Sequence, residues 1–204
     1  MTPALLLASL LASSAQESPP QKYYLCVGVG EYRDSSILDL YGPDRDAEEF
    51  AKRLDSLGWK PISPPLVSRR GSDKEYRNGV PARNDVLSAL DEAVSRCRRQ
   101  DDFLLFFSGH GNYYDKSDLL LPWDTAYEGD RLKLPSVISL ENDIKPRFTN
   151  LKSDRRIVIL NMCRAEIDDS QAQMSGEKGY DAMLPRQFRG SSSLEPLLLW
   201  SCKR

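Results

Sequence analysis

These 204 residues hold one histidine, no Cys-x-x-Cys pair, no internal repeat and no apolar run long enough to cross a bilayer. Each absence removes a class of protein. A structural zinc site draws on paired Cys and His ligands, and one His with four scattered cysteines (Cys26, Cys97, Cys163 and Cys202) does not supply them. Those cysteines are also too widely spaced for the stapled framework of a small secreted domain. There is no excess of positive charge either. With 28 Lys and Arg against 30 Asp and Glu, the net charge is −2, so the basic excess of a nucleic-acid binder or a polybasic membrane protein is missing. Gly28-Val29-Gly30 opens like a dinucleotide fingerprint, but Arg33 stands where the third glycine belongs.

What is present is the composition of a soluble globular protein, 40% hydrophobic and 28% charged, in a chain long enough for one domain with a real core. The first twenty residues stand apart. Ala4 to Ala12 is uncharged, Ser13-Ser14-Ala15 follows with small side chains, and a polar stretch leads to Pro19-Pro20. This resembles a secretory signal peptide cut after Ala15, and it is too short to span a membrane. The expected division is a signal peptide with a short linker over residues 1–20 and one domain over 21–204. The expected location is secreted or periplasmic, or cytoplasmic if the segment is only an N-terminal tail or follows a misplaced start.

Tyr23 to Gly30, Phe103 to Phe107, Ile157 to Leu160 and Leu197 to Trp200 are apolar runs of strand length. Ile62 to Val67 is a weaker strand candidate crowded by prolines, and Asp118 to Leu121 a short one. Between them lie helical patterns. Over Asp44 to Leu57 a stripe of Ala47, Phe50, Ala51, Leu54 and Leu57 repeats with helical spacing, and Gly58 ends it. Over Asn84 to Arg98 the stripe is Leu87, Leu90, Val94 and Cys97, with Asn84 as cap and arginines at the end. Ser139 can cap a third helix that Pro146 kinks or delimits. Apolar strands alternating with amphipathic helices predict an α/β domain with a mostly parallel sheet. Glu166 to Ser193 is polar and without periodicity, which marks a functional or mobile loop.

Two strands end in residues that carry chemistry. After Phe103–Phe107 comes Ser108-Gly109-His110-Gly111, and after Ile157–Leu160 comes Asn161-Met162-Cys163-Arg164. Ligands of parallel α/β sheets bind at the carboxyl ends of the strands. A His in a tight turn and a Cys filling a core are the ordinary readings of each residue alone. Together they form a pair: a thiolate nucleophile beside an imidazole that activates it and later protonates the leaving group.

With Tyr24–Gly30, Leu40-Tyr41-Gly42-Pro43-Asp44-Arg45-Asp46-Ala47, Ser108-Gly109-His110-Gly111, Leu121-Pro122-Trp123-Asp124 and Asn161-Met162-Cys163-Arg164, the chain resembles the caspase-like cysteine peptidases of family C14. Among these it is most similar to bacterial metacaspase-like members. The separation 163 − 110 = 53 fits the spacing of about 50 residues known for that pair. The resemblance implies a caspase-like three-layer sandwich with helices on both sheet faces. It also implies a His110/Cys163 dyad acting on protein or peptide substrates, and an oxyanion hole from the backbone N–H groups of Gly111 and Cys163.

The resemblance further implies a pocket for a basic side chain lined by Asp46, Ser108 and Asn161. Asn161 stands where the family has a second acid, and Ala165 where it has Ser or Gly. An amide oxygen of Asn161 facing a guanidinium would favour Arg over Lys. Asp46 is equally at home as a first-turn carboxylate on a helix dipole. No cofactor is implied. Calcium, which activates some metacaspases, has Asp124, Asp130, Asp168 and Asp169 as nearby acids, and exposed loop acids explain these as well. Relatives continue beyond the segment matched by Leu197–Cys202, so a C-terminal truncation is expected. A catalytically silent binding or assembly module, a truncated gene product and a non-peptidase thiol hydrolase remain the competing readings.

Overall fold

The computed structural model describes residues 18–71 and 79–162, together with the backbone of residues 165–166 and 197–201. Along the chain run β1 (Lys22–Val29), α1 (Pro43–Ser56), β2 (Lys60–Pro61), β3 (Leu66–Ser68), α2 (Arg83–Arg96), β4 (Asp102–Gly109), β5 (Gly111–Tyr114) and β6 (Ser117–Leu120). There follow β7 (Tyr127–Glu128), β8 (Arg131–Leu132), β9 (Ile138–Ser139), α3 (Lys145–Asn150), β10 (Arg155–Met162), β11 (Ala165–Glu166) and β12 (Leu197–Ser201). The main sheet has the order β12-β10-β4-β1-β2, with β3 also on β1, and every pair in it is parallel. The chain moves outward from β1 to β2 and β3, then crosses back to β4, β10 and β12. The point where the strand order reverses lies between β1 and β4, and there the carboxyl ends of the strands leave a crevice.

Strand alternation sorts the core into two layers. Tyr24 and Cys26 of β1 and Leu104 and Phe106 of β4 pack under Ala47, Ala51 and Leu54 of α1. Leu25, Val27, Phe103, Leu105, Phe107, Val158 and Leu160 face the other way, onto Val86, Leu87, Leu90 and Ala93 of α2 and Phe148 of α3. Helices therefore cover both faces of a parallel sheet, the three-layer arrangement that the family resemblance implied. Among the described residues, no helix is long and apolar enough to cross a membrane.

The entry to α1 is set by two glycines. Gly42 has φ 113°, a left-handed conformation that other residues resist, and Pro43 occupies the first helical turn. Gly28 lies beneath that turn: a Cβ there would sit 2.3 Å from the Pro43 carbonyl oxygen and 2.9 Å from the Ala47 Cβ. Only a residue without a side chain lets the helix start this close to β1, and this closeness fixes the position of Asp46 one turn in.

Local expectations failed where tertiary contacts took over. The helix expected from Asn84 begins at Arg83 after Ala82, with no side-chain cap of its own. The Arg83 N–H instead donates to Asp124 Oδ1 at 2.7 Å, from 41 residues away. Of the expected strand over Ile62–Val67 only the end forms, as β3 from Leu66; β2 lies before it, and between them Pro64-Pro65 offers no N–H to a ladder. Leu57 lies beyond the end of α1 and is 54% exposed. Ser139 does cap, accepting the Asn142 N–H at 3.1 Å, but a π-turn over Leu140–Ile144 precedes α3, with Pro146 in the first turn of that helix. The β5–β6 hairpin was unforeseen. Asp115 and Lys116 turn it with φ 46° and 61°, a pair of left-handed residues usually signalled by Asn-Gly.

Candidate active site

The carboxyl ends of β1, β4 and β10 carry two neighbouring groups of polar residues. The first lies on the α1 face. Ser108 and Asn161 are register partners on β4 and β10, and their positions alternate with the side chains that face the other helices. Asp46 comes down from the first turn of α1. The Ser108 hydroxyl donates to Asp46 Oδ2 at 3.2 Å, and Asn161 Nδ2 donates to Asp46 Oδ2 at 3.1 Å and to Ser108 Oγ at 3.2 Å. Ser108 is buried, while Asp46 and Asn161 keep part of their surface open. Among the described residues the partners of Asp46 are therefore neutral. The neighbouring cation, Arg69, is bound to Asp44 at 3.0 Å and Glu48 at 2.8 Å instead. Among the described residues no cation pairs with Asp46.

The Asn161 NH2 group faces Asp46 and braces that carboxylate as a donor.

The second group surrounds His110, the single residue between β4 and β5. His110 does not sit in a tight turn: it joins one strand to the next, and the Leu121 N–H donates to its carbonyl oxygen at 3.2 Å. Its backbone N–H donates to the Tyr32 phenol oxygen at 2.8 Å, and its Nε2 lies 2.7 Å from the Leu38 carbonyl oxygen. A carbonyl can only accept, so Nε2 carries the proton. In the neutral ring Nδ1 then holds the lone pair, ready to take a proton. Packing favours glycine at Gly109: a Cβ there would crowd the Phe107 ring at 3.1 Å and Val29 Cβ at 3.2 Å.

Cys163, and with it half of the expected dyad and of the oxyanion hole, lies outside the described residues, as do residues 167–193, with Asp168 and Asp169 among them, and Cys202. The registers on either side of Cys163 are described. Met162 pairs with Gly109 and Ala165 with Asn112. Both offsets equal 53 (162 − 109 and 165 − 112), the same as 163 − 110. Gly111, the other expected oxyanion donor, opens β5 immediately beside His110.

The remaining cysteines within the described residues are poor nucleophiles. Cys26 and Cys97 are fully buried, and burial first, then the charges of Asp55 and Asp101 respectively, pushes each thiol up to about 12. The Leu121-Pro122-Trp123-Asp124 segment is structural: Trp123 is buried, its carbonyl accepts the Arg33 N–H at 2.9 Å, and Asp124 caps α2. No group of three or more potential metal ligands is found among the described residues. Tyr32 escaped sequence reading, although it lies only two residues past the glycine that ends the first apolar run.

Residues 21–196 match the family described as the caspase domain. The chain belongs to the caspase-domain family, a family of cysteine peptidases. No curated protein matches it. Among solved structures, a Geobacter sulfurreducens protein is similar at TM-score 0.53 and 17% identity, over 71% of this chain and 51% of that one. This chain thus spans about half the length of that relative. Pro-sf-caspase-1 is also similar, at TM-score 0.46 and 10% identity over 80% of this chain and 54% of the other.

Proposed function

We propose that the chain is a cysteine endopeptidase of metacaspase type, cutting after basic residues with Cys163 as nucleophile and His110 as general base. The observation that carries this reading is the His110 imidazole at the switch point of the sheet. Its Nε2–H is held by the Leu38 carbonyl, and among the described residues its Nδ1 has no hydrogen-bond partner. The common offset of 53 on both sides of the His110/Cys163 positions supports pairing the two residues.

In this reading Nδ1 takes the Cys163 thiol proton, and the thiolate attacks the scissile carbonyl carbon. The N–H groups of Gly111 and Cys163 receive the oxyanion. As the intermediate collapses, the C–N bond breaks and the imidazolium returns its proton to the leaving amine. Water, deprotonated at the same nitrogen, then attacks the thioester and releases the acid and the thiol. The Leu38 carbonyl favours the imidazolium in between, because it holds the ring through a charge-assisted bond.

The substrate's basic side chain would enter beside Asp46, whose carboxylate Ser108 and Asn161 orient but do not neutralise. One acid instead of two predicts a weaker preference for Arg and Lys than a two-acid pocket would give. The dyad needs no cofactor for these steps. Residues 1–20 would direct the domain beginning at residue 21 out of the cytoplasm.

Fluorogenic peptides with Arg, Lys or Asp before the cleaved bond, with and without calcium, test the reading directly. Turnover of Arg and Lys substrates by the wild type, absent in Cys163→Ala, is expected. Equal residual rates in both proteins would favour the silent binding module. N-terminal sequencing of exported protein should begin after Ala15, and an unprocessed chain kept inside the cell would rule the leader out.

A further inference from the structure

The contacts around His110 form a closed circuit through the β1–α1 loop. The His110 backbone N–H donates to the Tyr32 phenol oxygen at 2.8 Å. The Tyr32 backbone N–H donates to Asp39 Oδ1 at 3.1 Å. The residue before Asp39 is Leu38, whose carbonyl holds His110 Nε2 at 2.7 Å. Across the middle, the Tyr32 and His110 rings pack with centroids 5.3 Å apart and an interplanar angle of 34°. The Leu40 N–H closes the base of the loop on the Gly30 carbonyl at 2.8 Å. Tyr32 has no exposed surface at all, while Leu38 is 76% exposed. Tyr32 pins the His110 side of the loop, while the Arg33 N–H on the Trp123 carbonyl and Asp34 on the Tyr127 N–H hold its other side.

We propose that Tyr32 is a positioning residue for His110, locking the imidazole rotamer that keeps Nε2–H on Leu38 and so fixing the tautomer with a free Nδ1. This rests on the proposed dyad for its catalytic meaning, but its physical content concerns His110 alone. Two restraints act on one side chain. The phenol oxygen fixes the backbone from which the imidazole departs, and the phenol ring closes off one side along which the imidazole could rotate. Burial first of all raises the Tyr32 hydroxyl above its ordinary range, so the phenol stays neutral over the working pH range. Without the phenol oxygen, the ring can turn away from Leu38, and both tautomers become accessible.

The single histidine makes this measurable in the whole protein, because ¹⁵N-histidine labelling gives one imidazole signal pair. In the wild type, the neutral ring should show a protonated Nε2 and an unprotonated Nδ1. Tyr32→Phe keeps the aromatic contact and removes the phenol oxygen. It should give averaged nitrogen shifts and a kcat about tenfold lower with KM nearly unchanged, as expected for one lost hydrogen bond. Tyr32→Leu should widen the tautomer mixture further. If Tyr32→Phe does not fold, Asp39→Ala removes the acceptor of the Tyr32 N–H, loosens the same circuit and should shift the same nitrogen signals. A folded Tyr32→Phe or Asp39→Ala protein with the wild-type tautomer and kcat overturns the proposal. Tautomer mixing in a protein that never cleaves peptides would uphold the role of Tyr32 and remove the dyad instead.

Discussion

The two ends of the parallel sheet treat charge in opposite ways. At the amino-terminal edge, acids are closed by guanidinium groups. Asp101, buried just before β4, accepts from Arg98 Nη2 at 2.8 Å and Nε at 3.1 Å, and from the backbone N–H groups of Gln21 at 2.8 Å and Arg98 at 2.9 Å. Arg99 pairs with Asp154 and Arg155 with Asp102. At the carboxyl edge, Asp46 meets a hydroxyl and an amide, and the His110 ring meets a backbone carbonyl. At the first edge the carboxylates of Asp101, Asp102 and Asp154 are each met by a guanidinium from within the fold. The other holds the Asp46 carboxylate and the His110 imidazole in fixed positions without a charged partner among the described residues, which is what the proposed site requires.

The sharpest way to break this contrast is at the nucleophile. Cys163→Ala should lower turnover of an Arg peptide by a factor of about 10⁴ or more, in line with removal of one member of a catalytic unit elsewhere. Iodoacetamide should label Cys163 before Cys26 and Cys97, whose thiols, raised to about 12, remain protonated near neutrality. His110→Ala should erase that lead. Equal labelling of all cysteines in the folded protein would mean that the open edge activates nothing.

The next effect concerns the open carboxylate. Asp46→Asn keeps the shape and the contacts with Ser108, but removes the charge. It should lower kcat/KM for Arg substrates about 100-fold, the cost of taking one partner from a desolvated charge pair, with little change in thermal midpoint. Unchanged Arg turnover would assign the pocket to other residues.

Much of this edge was legible because strand ends are legible. Apolar runs over Phe103–Phe107 and Ile157–Leu160 located β4 and β10, and parallel pairing sent their next residues to one edge. The same alternation explains why Ser108 and Asn161 share the α1 face with Asp46: each follows the pattern of Leu104 and Phe106, or of Ile157 and Ile159. What the sequence did not reveal depends on contacts between distant segments. The α2 cap came from Asp124, not Asn84, because a carboxylate 41 residues away reached the Arg83 N–H first. Tyr32 looked like an ordinary loop aromatic, since nothing local says that its phenol reaches a backbone 78 residues on. The direction of the Asn161 amide likewise follows from its neighbours and not from its identity.

At the closed edge the contrast predicts stability without function. Burial alone would raise the Asp101 carboxyl, but Arg98 and the two backbone N–H groups outweigh it and hold the group below its ordinary value. A carboxyl depressed in the folded state stabilises above its unfolded pKa, and that stabilisation disappears as the pH falls through the folded value. Asp101→Asn should therefore cost about 2–3 kcal/mol near neutrality, the range for hydrogen bonds to a charged group. The two proteins should converge in urea melts taken well below about pH 4, the unfolded carboxyl range. Arg peptide preference should not move. A change in preference would join the two edges and remove the distinction between them.

The smallest effect is the most discriminating, because it asks whether the open edge is open through missing charge or through missing bracing. Asn161→Asp restores a second acid beside Asp46, but removes the amide that donates to Asp46 Oδ2 and Ser108 Oγ. In the empty protein, two carboxylates would share the single Ser108 hydroxyl. Their repulsion should lower stability by roughly 1 kcal/mol, as a surface-accessible like-charge pair does. An arriving guanidinium relieves that repulsion and bridges both acids, whereas an ammonium, a point charge, matches them less well. The gain should appear in KM, raising kcat/KM for Arg about tenfold, equivalent to roughly 1.4 kcal/mol, and for Lys by less. A fall in kcat/KM would show that the Asn161 amide is needed to hold Asp46 in position. The pocket would then be a braced single acid by construction, and its selectivity would rest on geometry more than on charge.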